Sequence, residues 1–205
     1  MNPTKTASRR RTQRERSEAT TSQILATARK LFARDGYAAT SLDAVVQSCG
    51  MTKGAFYHHF KDKAELFAAV YEEEERKLGE AMATAYLQKK DPWTGFAAGA
   101  KAFLEASFDP GVQQITLIDA PSALGFDRMR EIQSRHTLAL MKGGLKQAIA
   151  AGRIRRREIE PLANVLFGGM CQAVTFVLHS DDQASALKKV NRELTAVLDG
   201  LAVSD

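Results

Sequence analysis

The sequence predicts an all-α protein of about nine helices. Three features support that class. Apolar residues recur at the three-and-four spacing of amphipathic helices, prolines and glycines fall between the periodic segments, and no sustained alternation of apolar and polar residues indicates a strand. The 205 residues are 44% hydrophobic and 26% charged, so the chain can bury a core and has the composition of an ordinary globular protein.

The chain begins with a basic segment. Residues 1–16 contain no apolar pattern and are expected to be a disordered arm, in which six of the seven charged side chains are basic. A first helix is predicted over residues 20–34, with Thr20 and Gln23 as its capping box. Gly36 follows at the position where a left-handed C-terminal residue is favoured. The basic surplus at this end indicates a polyanionic partner for this end of the chain, with a solvated tail that contacts nothing as the alternative.

Two short helices follow at residues 40–63, whose sequence is TSLDAVVQSCGMTKGAFYHHFKDK. The first starts after Thr40 and ends near Ser48, and the second covers residues 53–59. Gly50 permits the tight turn between them. The second helix is too short to be stable alone, yet it is rich in polar and aromatic hydrogen-bonding groups. That chemistry suits a recognition helix, which needs donors for phosphates and base edges.

The rest of the chain is also predicted to be helical. A long fourth helix begins after Asp62, which caps it. Asp91-Pro92 is a cap followed by a first-turn proline, and Asp109-Pro110-Gly111 ends the helix that starts there. The five helices expected after the fourth cover residues 92–108, 112–119, 127–151, 161–179 and 183–201.

At residues 31–63 the sequence resembles the TetR family of transcriptional regulators. The resembling segments are LFARDGY at residues 31–37, TSL at 40–42 and GMTKGAFYHHFKDK at 50–63. Val46 and Met51 depart from the residue types usual there and require only slight repacking. The resemblance implies an N-terminal helix-turn-helix DNA-binding domain at 17–63 and a ligand-binding and dimerisation domain at 64–205.

The resemblance also implies roles for individual residues. At the DNA, Thr40 and Lys63 are expected to contact phosphate, Gly54 to let the backbone approach, and Tyr57 and His58 to touch phosphate or base edges. The predicted DNA-binding residues are Thr40, Ser41, Thr52, Lys53, Gly54, Tyr57, His58, His59 and Lys63. The expected partner is a palindromic operator in double-stranded DNA.

A small-molecule effector is expected in a mostly apolar pocket between the fourth helix and the helices at 92–108 and 127–151. The predicted apolar wall consists of Trp93, Phe96, Phe103, Ile115, Phe126, Met129, Met141, Phe167 and Met170. The predicted polar groups are Gln133, His136, Thr137 and Gln172. The helix at 161–179 is apolar around too much of its circumference for a surface helix. It is therefore predicted to form a homodimer interface together with the helix at 183–201.

Several features have simpler interpretations. Cys49 and Cys171 lack metal-ligand or disulfide spacing and are expected to pack as small apolar residues. His58 and His59 point about 100° apart on a helix and do not form a metal pair. The acidic run at 72–75 is expected to be a solvated helix face. The basic run at 153–157 is expected to be an exposed turn, with a second DNA contact as the alternative.

These features predict a cytoplasmic, ligand-responsive regulator, most simply a repressor, with no cofactor, metal site or catalytic group. No segment of about 20 apolar residues predicts a membrane span, and the basic N-terminus lacks the apolar segment of a secretory signal. Two alternatives stay open. One is a constitutive DNA-binding protein without ligand control, which a filled core would favour. The other is a helical enzyme acting on a small molecule.

Overall fold

The structure is a computed structural model that describes residues 12–203. These residues form ten helices and, apart from one isolated bridge between Ile154 and Ala202, no extended pairing, so the predicted all-α class is confirmed. The helices are α1 (Gln13–Ala39), α2 (Leu42–Ser48), α3 (Lys53–Tyr57), α4 (Lys63–Leu87), α5 (Pro92–Ala106), α6 (110–123, with a π-helical segment at Gln114–Asp119), α7 (Gly125–Arg135), α8 (Thr137–Ala150), α9 (Ile159–Leu178) and α10 (Gln183–Asp199).

Helix α1 begins earlier than predicted. Its capping box is formed by Thr12 and Glu15, whereas the Thr20 hydroxyl donates to the carbonyl of Arg16 inside the helix. The disorder predicted for residues 13–16 is therefore wrong, and residues 1–11 lie outside the described residues. Apolar periodicity missed this start because residues 12–19 are exposed and hydrophilic.

The helix predicted at 127–151 is two helices. They meet at His136, whose φ of −119° and ψ of −101° leave the helical region although the sequence has no proline or glycine there. At this break the Thr137 hydroxyl donates to Glu75 and the His136 ring contacts Glu72. Helix α6 also differs from expectation, since it continues through Pro121 to residue 123 rather than ending at residue 119.

Two hydrophobic clusters divide the described residues, and the division falls inside α4. The first cluster joins α1–α3 to Tyr71 and the preceding part of α4, and it also includes Ile115 and Ile132 from α6 and α7. The second cluster begins at Leu78 on α4 and contains α5 and α8–α10. Helices α2 and α3 are therefore built on a core that extends beyond residue 63, into α4, α6 and α7.

Candidate DNA-binding interface and effector groove

Helices α2 and α3 form a fixed pair. Gly50 lies between them with a φ of +65°, a conformation that an L side chain rarely adopts. Val45 and Phe56 are fully buried against α1 and hold the pair in place. Ser41 and Thr52 cap the two helices through hydrogen bonds from the backbone N–H groups of Ala44 and Ala55. The orientation of α3 is thus determined by packing rather than by its own helix propensity.

The outer face of α3 brings together most of the predicted DNA-binding residues. Thr52, Lys53, Gly54, Tyr57 and His58 are all exposed, and the Tyr57 side chain is 54% exposed. Lys53 forms an ion pair with Asp43 of α2, with an N–O distance of 2.8 Å, and this contact raises the pKa of Lys53. The face therefore presents a cation, an aromatic hydroxyl, an imidazole and a bare backbone in one place.

The side chains of two other predicted residues, Thr40 and His59, form hydrogen bonds within the protein. Thr40 is 3% exposed and its hydroxyl donates to the Gly36 carbonyl at 2.8 Å, so the prediction that this hydroxyl contacts phosphate does not fit the structure. The Nδ1 atom of His59 lies 2.9 Å from the Thr21 hydroxyl of α1. Both side chains bind to α1 and so hold α2 and α3 against it, instead of facing outward.

Lys63 is half-buried at the start of α4. Its ammonium donates to the carbonyl oxygens of Tyr37 and Thr40, at 2.9 and 3.1 Å, and lies 4.2 Å from the centre of the Tyr37 ring. Two of its three N–H donors are thereby used within the protein. Lys63 joins α4 to the corner between α1 and α2.

Helix α1 is also bound to the helices behind it. Arg29 forms an ion pair with Glu74 of α4 and with Asp109, the residue that caps α6, each at 3.1 Å. The backbone N–H of Tyr37 donates to Asp119 of α6 at 2.8 Å. Because Glu74 is 1% exposed, the expectation of a solvated acidic face at residues 72–75 is wrong.

The predicted effector residues do not share one pocket. Phe126 is 73% exposed and Gln172 is also exposed, so neither belongs to a pocket wall in the protomer. Ile115 and Met129 belong to the first cluster, away from the core of the second. Those associated with the second cluster are Trp93, Phe96, Phe103, Met141, Phe167 and Met170. Periodicity identified apolar faces, but it does not show which neighbour each face meets.

Glu75 was missed by sequence reasoning. Its carboxylate is buried and accepts hydrogen bonds from Thr137 at 2.6 Å and Tyr71 at 3.0 Å, and Gln133 donates to the Tyr71 hydroxyl. Burial raises the pKa of Glu75. A cavity of only about 20 Å³ adjoins this cluster, which is space for about one water molecule. The only sequence signal was the position of Glu75 one helical turn after Tyr71 on the apolar side of α4.

In this half of the chain a groove with a volume of about 330 Å³ lies between α4, α5 and α8. We call it the effector groove. Two predicted residues, Phe96 and Met141, lie in its wall. The full lining is Met82, Ala83, Tyr86, Leu87, Phe96, Gly99, Ala139, Leu140, Met141, Gly143, Gly144 and Gln147.

A second apolar groove, of about 500 Å³, lies between α9 and α10. Val165, Phe176 and Val197 line it and are each more than half exposed. Gly168 and Gly169 have open space where a Cβ atom would lie. By length and composition alone, α9 is the one helix among residues 12–203 that could cross a membrane, and 33% of its most apolar window is buried inside the protomer.

Known proteins share these features. Residues 24–70 match the family model of bacterial regulatory proteins of the tetR family, and residues 93–201 match a tetracyclin repressor-like C-terminal domain. The crystal structure of a TetR-family transcriptional regulator from Pectobacterium atrosepticum is 33% identical, with a TM-score of 0.79 over 95% of this chain and 99% of that one.

Two further relatives are more distant. The transposon Tn10 TetC protein of Escherichia coli is 25% identical over 76% of this chain and 79% of its own length. The FadR regulator of Bacillus subtilis, solved in complex with stearoyl-CoA, shares the fold at 19% identity, with a TM-score of 0.70 over 84% of this chain and 96% of that one. With its helix-turn-helix and its helical C-terminal domain both matched, this chain belongs to the TetR family of DNA-binding transcriptional regulators.

Proposed function

We propose that this protein is a ligand-responsive repressor that acts in the cytoplasm. It binds an imperfect palindrome in double-stranded DNA as a homodimer and leaves it when a lipophilic or amphipathic effector binds. The observation that carries the DNA-binding part is the exposed face of α3, where Lys53, Tyr57 and His58 project from a helix pair fixed on a buried core.

The site is tested on the operator selected by the protein from random DNA. Tyr57→Ala and His58→Ala should each weaken binding to that operator by about 1–3 kcal/mol, because each removes a contact to a base edge or phosphate. His59→Ala, on the inward side of the same turn, is the matched control for disturbance of the fold. Normal operator affinity in both the Tyr57 and His58 variants would reject this recognition surface.

Ligand control is supported by the position of the effector groove. Helix α4 lines the groove with Met82 and Tyr86, while its first residue, Lys63, joins the corner that holds α2 and α3. An effector that binds more tightly to a tilted α4 would change the separation of the two recognition helices in a dimer. The Bacillus subtilis FadR, which binds stearoyl-CoA, is a precedent for ligand binding in this fold.

One observation favours a second candidate, a constitutive DNA-binding protein. The cavity beside Glu75, inside the C-terminal domain, has only about 20 Å³ of space. The two candidate functions differ in the role of the effector groove, because a constitutive regulator binds DNA whether or not the groove is occupied. Release of DNA by a groove-binding compound, abolished by substitutions that fill the groove, supports ligand control. Operator binding that no groove-binding compound changes supports the constitutive alternative.

A further inference from the structure

The effector groove runs along α4 and α8 toward the end of the molecule opposite α3. Thr137 begins α8 beside Glu75 in the middle of α4, whereas Leu87 and Gln147 lie near the ends of the two helices. Leu87 is 78% exposed and Leu140 is 43% exposed, so the groove has an apolar rim as well as an apolar floor. The groove is thus exposed to solvent along this rim, and one end of it, which we call the open end, lies beside Leu87 where α4 passes into α5.

Glycines line this groove in two different ways. Gly99 and Gly144 lie where a Cβ atom would approach the Met82 carbonyl at 3.1 Å and the Phe96 ring at 2.9 Å, so the helices are packed closely there. A Cβ atom on Gly143 would meet nothing within 4 Å, although Gly143 also lines the groove. The volume of about 330 Å³ corresponds to roughly ten heavy atoms at the ~30 Å³ occupied by a liquid water molecule.

Basic residues adjoin, along the chain, the residues that line the open end of the groove. Lys89 and Lys90 follow Leu87 after one residue, and Lys146 precedes Gln147. None of these three lysines has an ion-pair partner within residues 12–203, and all three are exposed. Arg153 forms an ion pair with Asp91, which brings the turn after α8 against the turn after α4. Exposed Arg155, Arg156 and Arg157 continue in the same loop.

We infer that the effector groove and this basic end form one binding site for an anionic amphiphile, with a chain of about ten carbons in the groove and a phosphate or carboxylate head group at Lys89, Lys90 and Lys146. An apolar chain gains from burial against the floor, and an anion at the open end meets unpaired ammonium groups. A cationic or neutral amphiphile would gain only the first contribution.

Charge also excludes the nearest competing occupants from this chain. The segment at residues 1–11 contains Lys5 and three consecutive arginines, which the basic end repels. A second copy of the chain has a larger apolar face available at α9 and α10. The inference depends on the proposed function only for its regulatory consequence, because the site itself is tested without DNA.

The probes are n-decyl phosphate, n-decanol and n-decyltrimethylammonium, each titrated into the full-length protein by calorimetry below its micelle concentration. Decyl phosphate should bind at one site per chain and at least about tenfold more tightly than the ammonium compound, since the head groups differ in sign at a cationic end. Gly143→Phe places a large side chain in the groove from a position where a Cβ atom meets nothing. It should weaken the binding of decyl phosphate at least about tenfold, because part of the alkyl chain can no longer be buried. Gly143→Ala is the control and should stay within about twofold.

The head-group contacts are tested separately. The double variant Lys89→Gln, Lys90→Gln should weaken the binding of decyl phosphate by about tenfold or less, because two exposed charge contacts are lost. The binding of decanol should stay unchanged. Lys101→Gln with Lys188→Gln removes two charges elsewhere on the domain and should change neither. Equal binding of the phosphate and ammonium probes, no binding of decyl phosphate, or unchanged binding to Gly143→Phe overturns the inference. A protein that binds decyl phosphate but, without any ligand, binds no operator would instead overturn the proposed function.

Discussion

Glu75 is a buried carboxyl group whose ionisation affects the stability of the fold. Burial raises the pKa of its carboxyl above the ordinary 4.5, although the hydroxyls of Thr137 and Tyr71 oppose the shift by donating to it. The folded protein therefore holds this proton more tightly than the unfolded chain. The stabilisation that results is complete below about pH 4.5 and is lost as the pH rises through the folded-state pKa.

Glu75→Gln should remove this pH dependence, because the amide keeps the shape and does not ionise. The free energy of unfolding of the variant, minus that of the unaltered protein, should increase with pH above pH 4.5. Urea denaturation at a series of pH values measures it. Glu80→Gln, on an exposed turn of the same helix, is the control. A difference that is constant or decreases with pH contradicts this account.

Lys63 acts through its position rather than through an exposed charge. Lys63→Ala should lower the free energy of unfolding by about 1–3 kcal/mol, since two carbonyls lose a charged donor. It should weaken operator binding without changing the dependence on salt. A direct phosphate contact would reduce the salt slope by about one, so that result, measured by fluorescence anisotropy across KCl concentrations, would restore the contact predicted from the sequence. Lys61→Ala, at an exposed neighbour, is the stability control.

At the scale of the element, α2 and α3 contain two glycines with different roles, one in the turn between the helices and one inside α3. Gly50 has a φ of +65°, so Gly50→Ala should destabilise the protein by about 1–2 kcal/mol. Gly54 lies inside α3 with open space at its Cβ position, so Gly54→Ala should stabilise the helix by up to about 1 kcal/mol. If DNA approaches the backbone there, the same substitution should weaken operator binding.

These two variants separate folding from recognition, because thermal denaturation and operator affinity should move in opposite directions for Gly54→Ala. Operator affinity that rises together with stability would show that the α3 backbone does not approach DNA. Equal stability of the Gly50→Ala and Gly54→Ala variants would show that the positive φ of Gly50 is not required for the turn between α2 and α3.

At the scale of the whole molecule, α9 and α10 present the apolar face expected to pair two copies. Val165 and Val197 are 71% and 54% exposed in the protomer, whereas Leu166 is 7% exposed. Val165→Glu with Val197→Glu should therefore give a folded monomer, since the charges are buried only in the dimer. Sedimentation velocity measures the change, with Lys188→Glu as the control on the same helix pair. A dimer that persists would place the interface elsewhere.

The sequence by itself determined the all-α class, the helix-turn-helix and the family, because capping residues, glycines and apolar spacing are local signals. It also predicted that Phe96 and Met141 face an apolar space between α4, α5 and α8. The positions of Thr40, His59 and Lys63 were outside its reach, since each side chain is turned inward by contacts 4, 38 and 23 residues away along the chain.

Only the tertiary structure decided which charges are buried and where the long helix breaks. Glu74 and Glu75 belong to an acidic run that the sequence predicts to be a solvated helix face. In the structure both are buried, and Arg29 and Thr137, from distant segments, supply the partners that offset the cost of burying them. The same contact with Thr137 lies at the break after His136, where no local breaker exists. Local signals specify helices, but the free energy of a buried polar group depends on partners that only the folded chain brings together.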